Sequence, residues 1–207
     1  MQIWLTSDTH FSHQQAFLYE PRGFSSVNEM NQKIVEYWNS IVKEEDIIYH
    51  LGDLCLSNNQ DAIKYIKKLN GTIKWIRGNH CSTNRVLEIQ DNCNNIHIIG
   101  DMNTSYSTII KHGKLTCYLS HYPVLTANYD DKHFNQHVIN FHGHIHSRTP
   151  WINLRNPFMY DVGMDAHDCY PVHIETAIAD IRNRWNEIGQ LPTSIKPENT
   201  YPYGVMI

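Results

Sequence analysis

Five short polar motifs, Asp8-Thr9-His10, Gly52-Asp53, Gly78-Asn79-His80, Ser120-His121 and Gly143-His144-Ile145-His146, each follow directly on an apolar run. The runs (Ile3-Trp4-Leu5, Ile47 to Leu51, Thr72 to Arg77, Leu115 to Ser120, Val138 to Phe141) have the length and composition of buried strands. Strand ends in an open sheet line a common crevice, so repeated termination in Asp, Asn or His brings those side chains together. The pattern makes the crevice the place to look for chemistry.

Helical signals separate the runs. Ser26-Val27-Asn28-Glu29 has the form of a capping box, and Val27, Met30, Ile34, Val35, Trp38, Ile41 and Val42 then recur at helical spacing. A short helix is expected near Asp61–Leu69 and a fourth strand at Ile96–Ile99. This rhythm predicts crossover connections and a largely parallel sheet. The second half differs: Thr108–Lys111 and Leu115–Ser120 read as a hairpin around His112-Gly113-Lys114. Tyr160–Val162 is a further strand. A helix from about His173 places Ile174, Ala177, Ile178, Ile181 and Trp185 on one face, with Gly189 as its expected stop. The expected class is α/β, two sheets with helices outside both. One domain is expected over residues 1–189. Residues 190–207, with Pro192, Pro197 and Pro202, form a tail expected to pack on or near it.

The 207-residue length is ample for one core. A net charge of -4 argues against an extended surface for duplex nucleic acid, although a nucleotide held locally by metal needs no basic surroundings. No stretch has the apolar length of a membrane span, and the amino terminus lacks the charge pattern of a signal peptide, so a cytoplasmic protein is expected. Cys55, Cys81, Cys93, Cys117 and Cys169 form no CxxC pair and are read as reduced, mostly buried thiols. The 14 histidines are the anomaly, because they cluster in the motifs.

Singly, DxH, GD and GNH are ordinary loop sequences. In this order, each behind an apolar run, they resemble the calcineurin-like metallophosphoesterase superfamily, in particular its small single-domain bacterial and phage members. The stretches HLGD, RGNH and VGMD (Val162–Asp165) add to that likeness. The resemblance implies a double β-sandwich flanked by helices, a four-layer α/β/β/α arrangement. It also implies two divalent transition-metal ions, Mn most of all, with Fe, Zn or Ni as alternatives. Asp8, His10 and His146 would hold one ion, Asp53 would bridge, and Asn79, His121 and His144 would hold the other. His80 would work on the substrate, with Asp53 beside it in the catalytic centre.

Mixed imidazole and oxygen donors suit such ions better than Ca or Mg. Two of them about 4 Å apart can activate a water to hydroxide for in-line attack on phosphorus. Arg77, Arg22 and Arg148 are candidates to steady the phosphate, Arg77 first because it adjoins the GNH motif, and His13 is a candidate for substrate contact. The implied activity is phosphate-ester hydrolysis, phosphodiesters ahead of monoesters. A phosphomonoesterase or protein phosphatase is the alternative, and a non-catalytic interaction module is less favoured because every ligand is kept. The segment Tyr122–His137, with Asn128, Tyr129, His133 and Phe134, is expected to wall the pocket and to stack a base of a nucleotide-type substrate.

Two positions need comment. His142 shares a strand face with His144 and His146, but a third ligand from one segment would crowd the ions, so it is expected to support or pack. Cys81 stands where the resemblance leads one to expect an acidic residue after GNH, so His80 must find another partner, a backbone carbonyl or Asp53.

Overall fold

The structure is a computed structural model that describes residues 1–100, 106–126, 133–153 and 156–190. In chain order the elements are β1 (Ile3–Thr6), α1 (Ala16–Tyr19), α2 (Val27–Ile41), β2 (Ile47–His50), α3 (Asn59–Ile66), β3 (Thr72–Trp75), α4 (Thr83–Asn92) and β4 (Ile96–Ile98). They continue with β5 (Ser107–His112), β6 (Leu115–Ser120), β7 (Val138–His142), β8 (Met159–Asp161), β9 (Val172–His173) and α5 (Ile174–Gln190).

Two sheets result. The first has the order β4-β3-β2-β1-β9, and the second β5-β6-β7-β8. β1, β2, β3 and β4 run parallel, as the alternation with helices requires, and β9 closes the edge antiparallel to β1. β5 and β6 form the expected hairpin, and β7 and β8 add to it in parallel. The fold is therefore the expected α/β class, two sheets flanked by helices.

Pleat alternation divides the core. Ile48, Ile73 and Trp75 join Met30, Ile34 and Trp38 of α2 and Ile63 and Ile66 of α3 in one cluster. Leu5 and Tyr49 join Cys117, Leu119, Ile139, Phe141 and Tyr160 of the second sheet in another. α5 gives Ile174, Ala177, Ile178 and Ile181 to that second cluster, the face expected from their spacing. Trp38 and Trp75 are fully buried, and burying side chains of this size stabilises by roughly 3 kcal/mol each.

Local signals hold with adjustments. The Ser26 hydroxyl accepts from the Glu29 amide at 3.2 Å, whereas the Glu29 carboxylate reaches one residue further back, to the Ser25 amide at 2.7 Å. The last helix begins at Ile174 rather than His173, because Val172 and His173 pair with Leu5 and Trp4. α5 continues through Gly189 to Gln190, so Gly189 does not stop it. The expected tail beyond Gln190 lies outside the described residues. No helix among the described residues is long and apolar enough to cross a membrane.

Candidate metal centre

The motifs converge where β1, β2, β3, β6 and β7 end. The Asp8 loop runs beside the Asp53 loop in ladder fashion: the Asp8 amide donates to the Gly52 carbonyl and the His10 amide to the Asp53 carbonyl, both at 3.0 Å. Strand alternation would aim Asp8 and His10 alike. They do converge, with His10 Nε2 3.7 Å from Asp8 Oδ1, but the route is different. β1 ends at Thr6, and both residues take left-handed backbone, φ 58° and 50°. Asp53, His144 and His146 share that conformation at 51°, 74° and 49°. Left-handed non-glycine residues cost of order 1 kcal/mol or more each and gather at functional sites.

The glycines before the ligands act in two ways. Gly52 takes the left-handed backbone that lets the chain leave its strand sharply, at φ 106°. Gly78 and Gly143 are close-approach positions: a Cβ on Gly78 would collide with Asp53 Oδ1, and one on Gly143 with the Ser7 hydroxyl and Asp8 Oδ2. Gly143→Ala must therefore displace the Asp8 carboxylate. It is expected to lower Tm and to weaken ion binding in titration calorimetry; unchanged dissociation constants would show that the loop yields instead.

Two overlapping groups of donors form, Asp8 with His10 and His146, and Asp8 with Asp53 and His121, each with donor atoms within 4.8 Å of one another. Asp8 is common to both. Asp53 Oδ2 also lies 3.8 Å from His10 Nε2 and 3.4 Å from His121 Nε2, so it too faces both sides. Asn79 Oδ1 approaches His121 Nε2 at 2.7 Å and His144 Nδ1 at 3.0 Å. All seven expected ligands are thus drawn together.

The donor chemistry fits a cation. Asp8 Oδ1 and both His10 ring nitrogens are buried without a hydrogen-bond partner. His121 Nδ1 donates to the Leu51 carbonyl at 2.9 Å, which turns Nε2 toward Asn79 Oδ1 and Asp53 Oδ2, two acceptors. Lone pairs aimed at one another in a buried space are costly unless positive charge lies between them. Burial opposes ionisation of Asp8 and Asp53, but the His10 and His121 imidazoles outweigh it and hold both carboxyls below the usual range.

Around this group the expected substrate residues separate. His80 is 45% exposed, its Nε2 4.0 Å from Asp53 Oδ2, while its amide donates to Asp53 Oδ1 at 3.0 Å. The His80 ring thus faces Asp53 beyond hydrogen-bond reach, and the direct bond between the two residues runs from the backbone amide. Cys81 is buried beneath, its sulfur accepting from the Gly78 amide at 3.2 Å, and burial pushes its thiol up to about 11, so it is a neutral packing group. His13 faces His10 at 5.5 Å between ring centres, and burial, followed by the nearby His10 and His80, lowers it to about 4.

The arginines correct the expectation. The Arg22 side chain is 1% exposed and gives its guanidinium to Asp165 and to the Asp8 and Thr9 carbonyls, so it lies beneath the site, turned away from a phosphate there. Arg77 is buried as well, bonded to the Cys81 carbonyl and packed on the Tyr106 ring at 5.9 Å, so it braces the GNH loop instead. Arg148 bonds to the Pro21 carbonyl.

The expected aromatic wall changes too. Phe134 is buried in the core against Phe158 and Trp185, too deep to stack a base, and Asn128 and Tyr129 lie outside the described residues. Tyr122, at the start of the expected segment, does border the site, 4.7 Å from the His144 ring, and Phe17, 72% exposed and outside that segment, borders it through His13 at 5.5 Å.

His142 is fully buried, donates from Nδ1 to the Gly143 carbonyl at 3.1 Å, and is lowered to about 4 by burial. It supports the loop from inside, as expected. His50 is a residue that sequence reasoning does not single out. It is fully buried and lowered by burial to about 3; its Nε2–H donates to the Thr9 hydroxyl at 3.0 Å, and that hydroxyl donates to the Leu54 carbonyl at 2.7 Å. Its position just ahead of Leu51-Gly52-Asp53 is the available signal. Asp165, also without a role from sequence, accepts from His146 Nδ1 at 2.8 Å.

Comparison with known proteins identifies the family. Residues 1–153 match the calcineurin-like phosphoesterase superfamily domain. An uncharacterised protein of Methanocaldococcus jannaschii is 48% identical over 81 residues, 38% of this chain and 46% of that protein, so the match spans under half of that relative. The Gene 66 protein of Mycobacterium phage D29 is 26% identical over 185 residues, covering 82% of this chain and 92% of that one. A solved protein of unknown function from Aquifex aeolicus superposes with TM-score 0.62 at 23% identity, over 84% of this chain and 96% of that chain, a likeness of fold.

Proposed function

The chain belongs to the calcineurin-like phosphoesterase superfamily, and from that membership we propose that it is a two-metal phosphodiesterase. The observation that supports this most is the convergence of two overlapping donor groups, sharing Asp8 and flanked by Asp53, beside a half-exposed His80. Asp8, His10 and His146 would hold one ion, Asn79, His121 and His144 the other, and Asp53 would lie between them. Imidazole and oxygen donors with no thiolate among them suit Mn, Fe, Zn or Ni, and Mn is the metal we favour, from the family resemblance.

Divalent ions bound there supply Lewis acidity to the phosphoryl oxygens and acidify water. The residues supply the rest. The Asp53 carboxylate offsets repulsion between cations and, through Oδ1, fixes the His80 backbone. Hydrolysis joins a water oxygen to phosphorus and breaks the bond to the leaving alkoxide, and in this reading His80 gives that alkoxide a proton. His13, Phe17 and Tyr122 border the substrate space. A nucleotide-type diester is favoured because exposed aromatic faces beside the centre can stack a base.

Protein stripped with chelator and reloaded with Mn is expected to recover activity in proportion to metal, up to two ions per chain by elemental analysis. Bis-aryl phosphate should be turned over faster than mono-aryl phosphate. Full turnover without metal would overturn the metal mechanism, and a monoester preference would return the assignment to a phosphomonoesterase.

A further inference from the structure

Three segments far apart in sequence meet behind His146. Asp165 lies in the 3-10 turn Met164–Ala166, which is tied to the first motif because the Met164 amide donates to the Ser7 carbonyl at 3.0 Å. The Asp165 carboxylate takes a bidentate pair from Arg22, Nε to Oδ1 at 3.0 Å and Nη2 to Oδ2 at 2.7 Å. It also accepts from His146 Nδ1 at 2.8 Å. With Nδ1 donating, the Nε2 lone pair of His146 faces Asp8, whose Oδ1 lies 3.8 Å away. The same guanidinium reaches the other way, to the Asp8 carbonyl at 2.8 Å and the Thr9 carbonyl at 3.2 Å. One buried arginine thereby clamps the turn that carries Asp8 and His10, and through Asp165 it sets the ring orientation of His146.

We propose that Arg22 and Asp165 are a positioning pair that builds the Asp8–His10–His146 ion site and sets its affinity, leaving the Asn79–His121–His144 side largely independent. This rests on the two-ion reading above. The asymmetry has a physical basis on the other side of the centre. His121 is oriented by the Leu51 carbonyl, and His144 Nδ1 lies 3.0 Å from Asn79 Oδ1, so neither ring is bonded to Arg22 or Asp165; the one link to the clamp is indirect, through Asp8, whose Oδ2 accepts from the His144 amide at 2.8 Å. The pair is also shielded, with side chains 1% and 7% exposed, so its charge-assisted bonds are weakly screened. Its rear borders a cavity of about 320 Å³ that Arg148, Asp168 and Tyr170 also line. A truncated side chain there can be replaced by water, so variants are expected to fold.

The test compares wild type, Asp165→Asn, Asp165→Ala and Arg22→Lys by Mn titration calorimetry, elemental analysis after gel filtration, and electron paramagnetic resonance. Partners that orient a metal-binding histidine typically contribute about 10–100-fold in affinity. Asp165→Ala should therefore weaken one of the two ions by that factor and leave the other within about threefold, with Asp165→Asn and Arg22→Lys in between because each keeps part of the bonding. The spin-coupled two-Mn signal should give way to an isolated-Mn signal, and kcat should recover in part at high Mn. Two ions bound with wild-type constants in Asp165→Ala would overturn the proposal. Equal weakening of both ions would overturn it as well, since that describes general loosening of the fold. A wild-type protein holding a single ion would appear in the wild-type arm alone, and would overturn the two-ion reading together with the selectivity claimed here.

Discussion

Asp53→Asn is expected to lower phosphodiesterase activity by more than about 100-fold and to leave the chain with one tightly held ion or none. The scale follows from comparison: a residue that only orients a ligand typically contributes about 10–100-fold, and a carboxylate facing both ions must exceed that. The substitution is nearly isosteric. Its remaining Oδ1 can still accept the His80 amide, which Asp53 now holds at 3.0 Å, so the loop has no reason to rearrange. Stability separates the charge effect from damage to the fold. In the metal-free protein burial and the nearby Asp8 charge oppose ionisation of Asp53, but the His121 and His10 imidazoles outweigh them and hold it below the usual range, so its charge contributes stability at neutral pH. Removing that charge should lower the metal-free Tm modestly. The rise in Tm on adding Mn should shrink, because a ligand stabilises only as far as it binds the folded state.

His142→Ala is the contrasting case. It removes a fully buried ring and is expected to cost roughly 1–3 kcal/mol through the cavity left behind, while two ions remain bound. Equal losses of activity and of metal in the two variants would mean that Asp53 or His142 has been given the wrong part.

The candidate ligands are legible in the sequence because each sits in a motif a few residues long, directly behind a strand whose composition announces it. The residues that hold those ligands are not. Arg22 and Asp165 are separated by 143 positions, and no local pattern joins them. A cation near such a site suggests a phosphate ligand, which is why Arg22 reads as one from sequence; burial to 1% shows a different use. His50 sits inside a strand pattern where a polar residue has no periodic signature. Among the elements, α4 escapes a reading by periodicity because it buries only Val86 and Ile89, too short an apolar stripe to register, although Ser82 caps it by accepting from the Arg85 amide at 3.3 Å. β9 is two residues long and exists because β1 offers an edge for it, a tertiary cause that leaves no mark on Val172 and His173 themselves. The left-handed turns at Asp8 and His10 are hidden for the same reason: they follow from the hydrogen bonds to Gly52 and Asp53 across the loop.

His80→Ala is expected to discriminate among leaving groups, and this separates proton chemistry from metal chemistry at one residue. A nitrophenolate departs readily without a proton, so the variant should retain much of its activity on bis-nitrophenyl phosphate. An alkyl or nucleoside alkoxide is far more basic and depends on protonation as the bond to phosphorus breaks. General acid catalysis typically contributes about 10²–10⁴-fold, and the ratio of the two losses should fall in that range. The geometry favours a clean experiment. His80 is anchored by its backbone, the amide donating to Asp53 and the carbonyl accepting from Arg85, so truncating the ring leaves those bonds in place. The ring is 45% exposed, and its removal opens no buried cavity. Its Nε2 stands 4.0 Å from Asp53 Oδ2, and Asn79, the preceding residue, points its oxygen at His121 and His144. Metal content should therefore stay at the wild-type value. A uniform loss across leaving groups would make His80 a phosphate-positioning residue, and a loss of metal would make it a ligand; either result would remove the general acid from the mechanism.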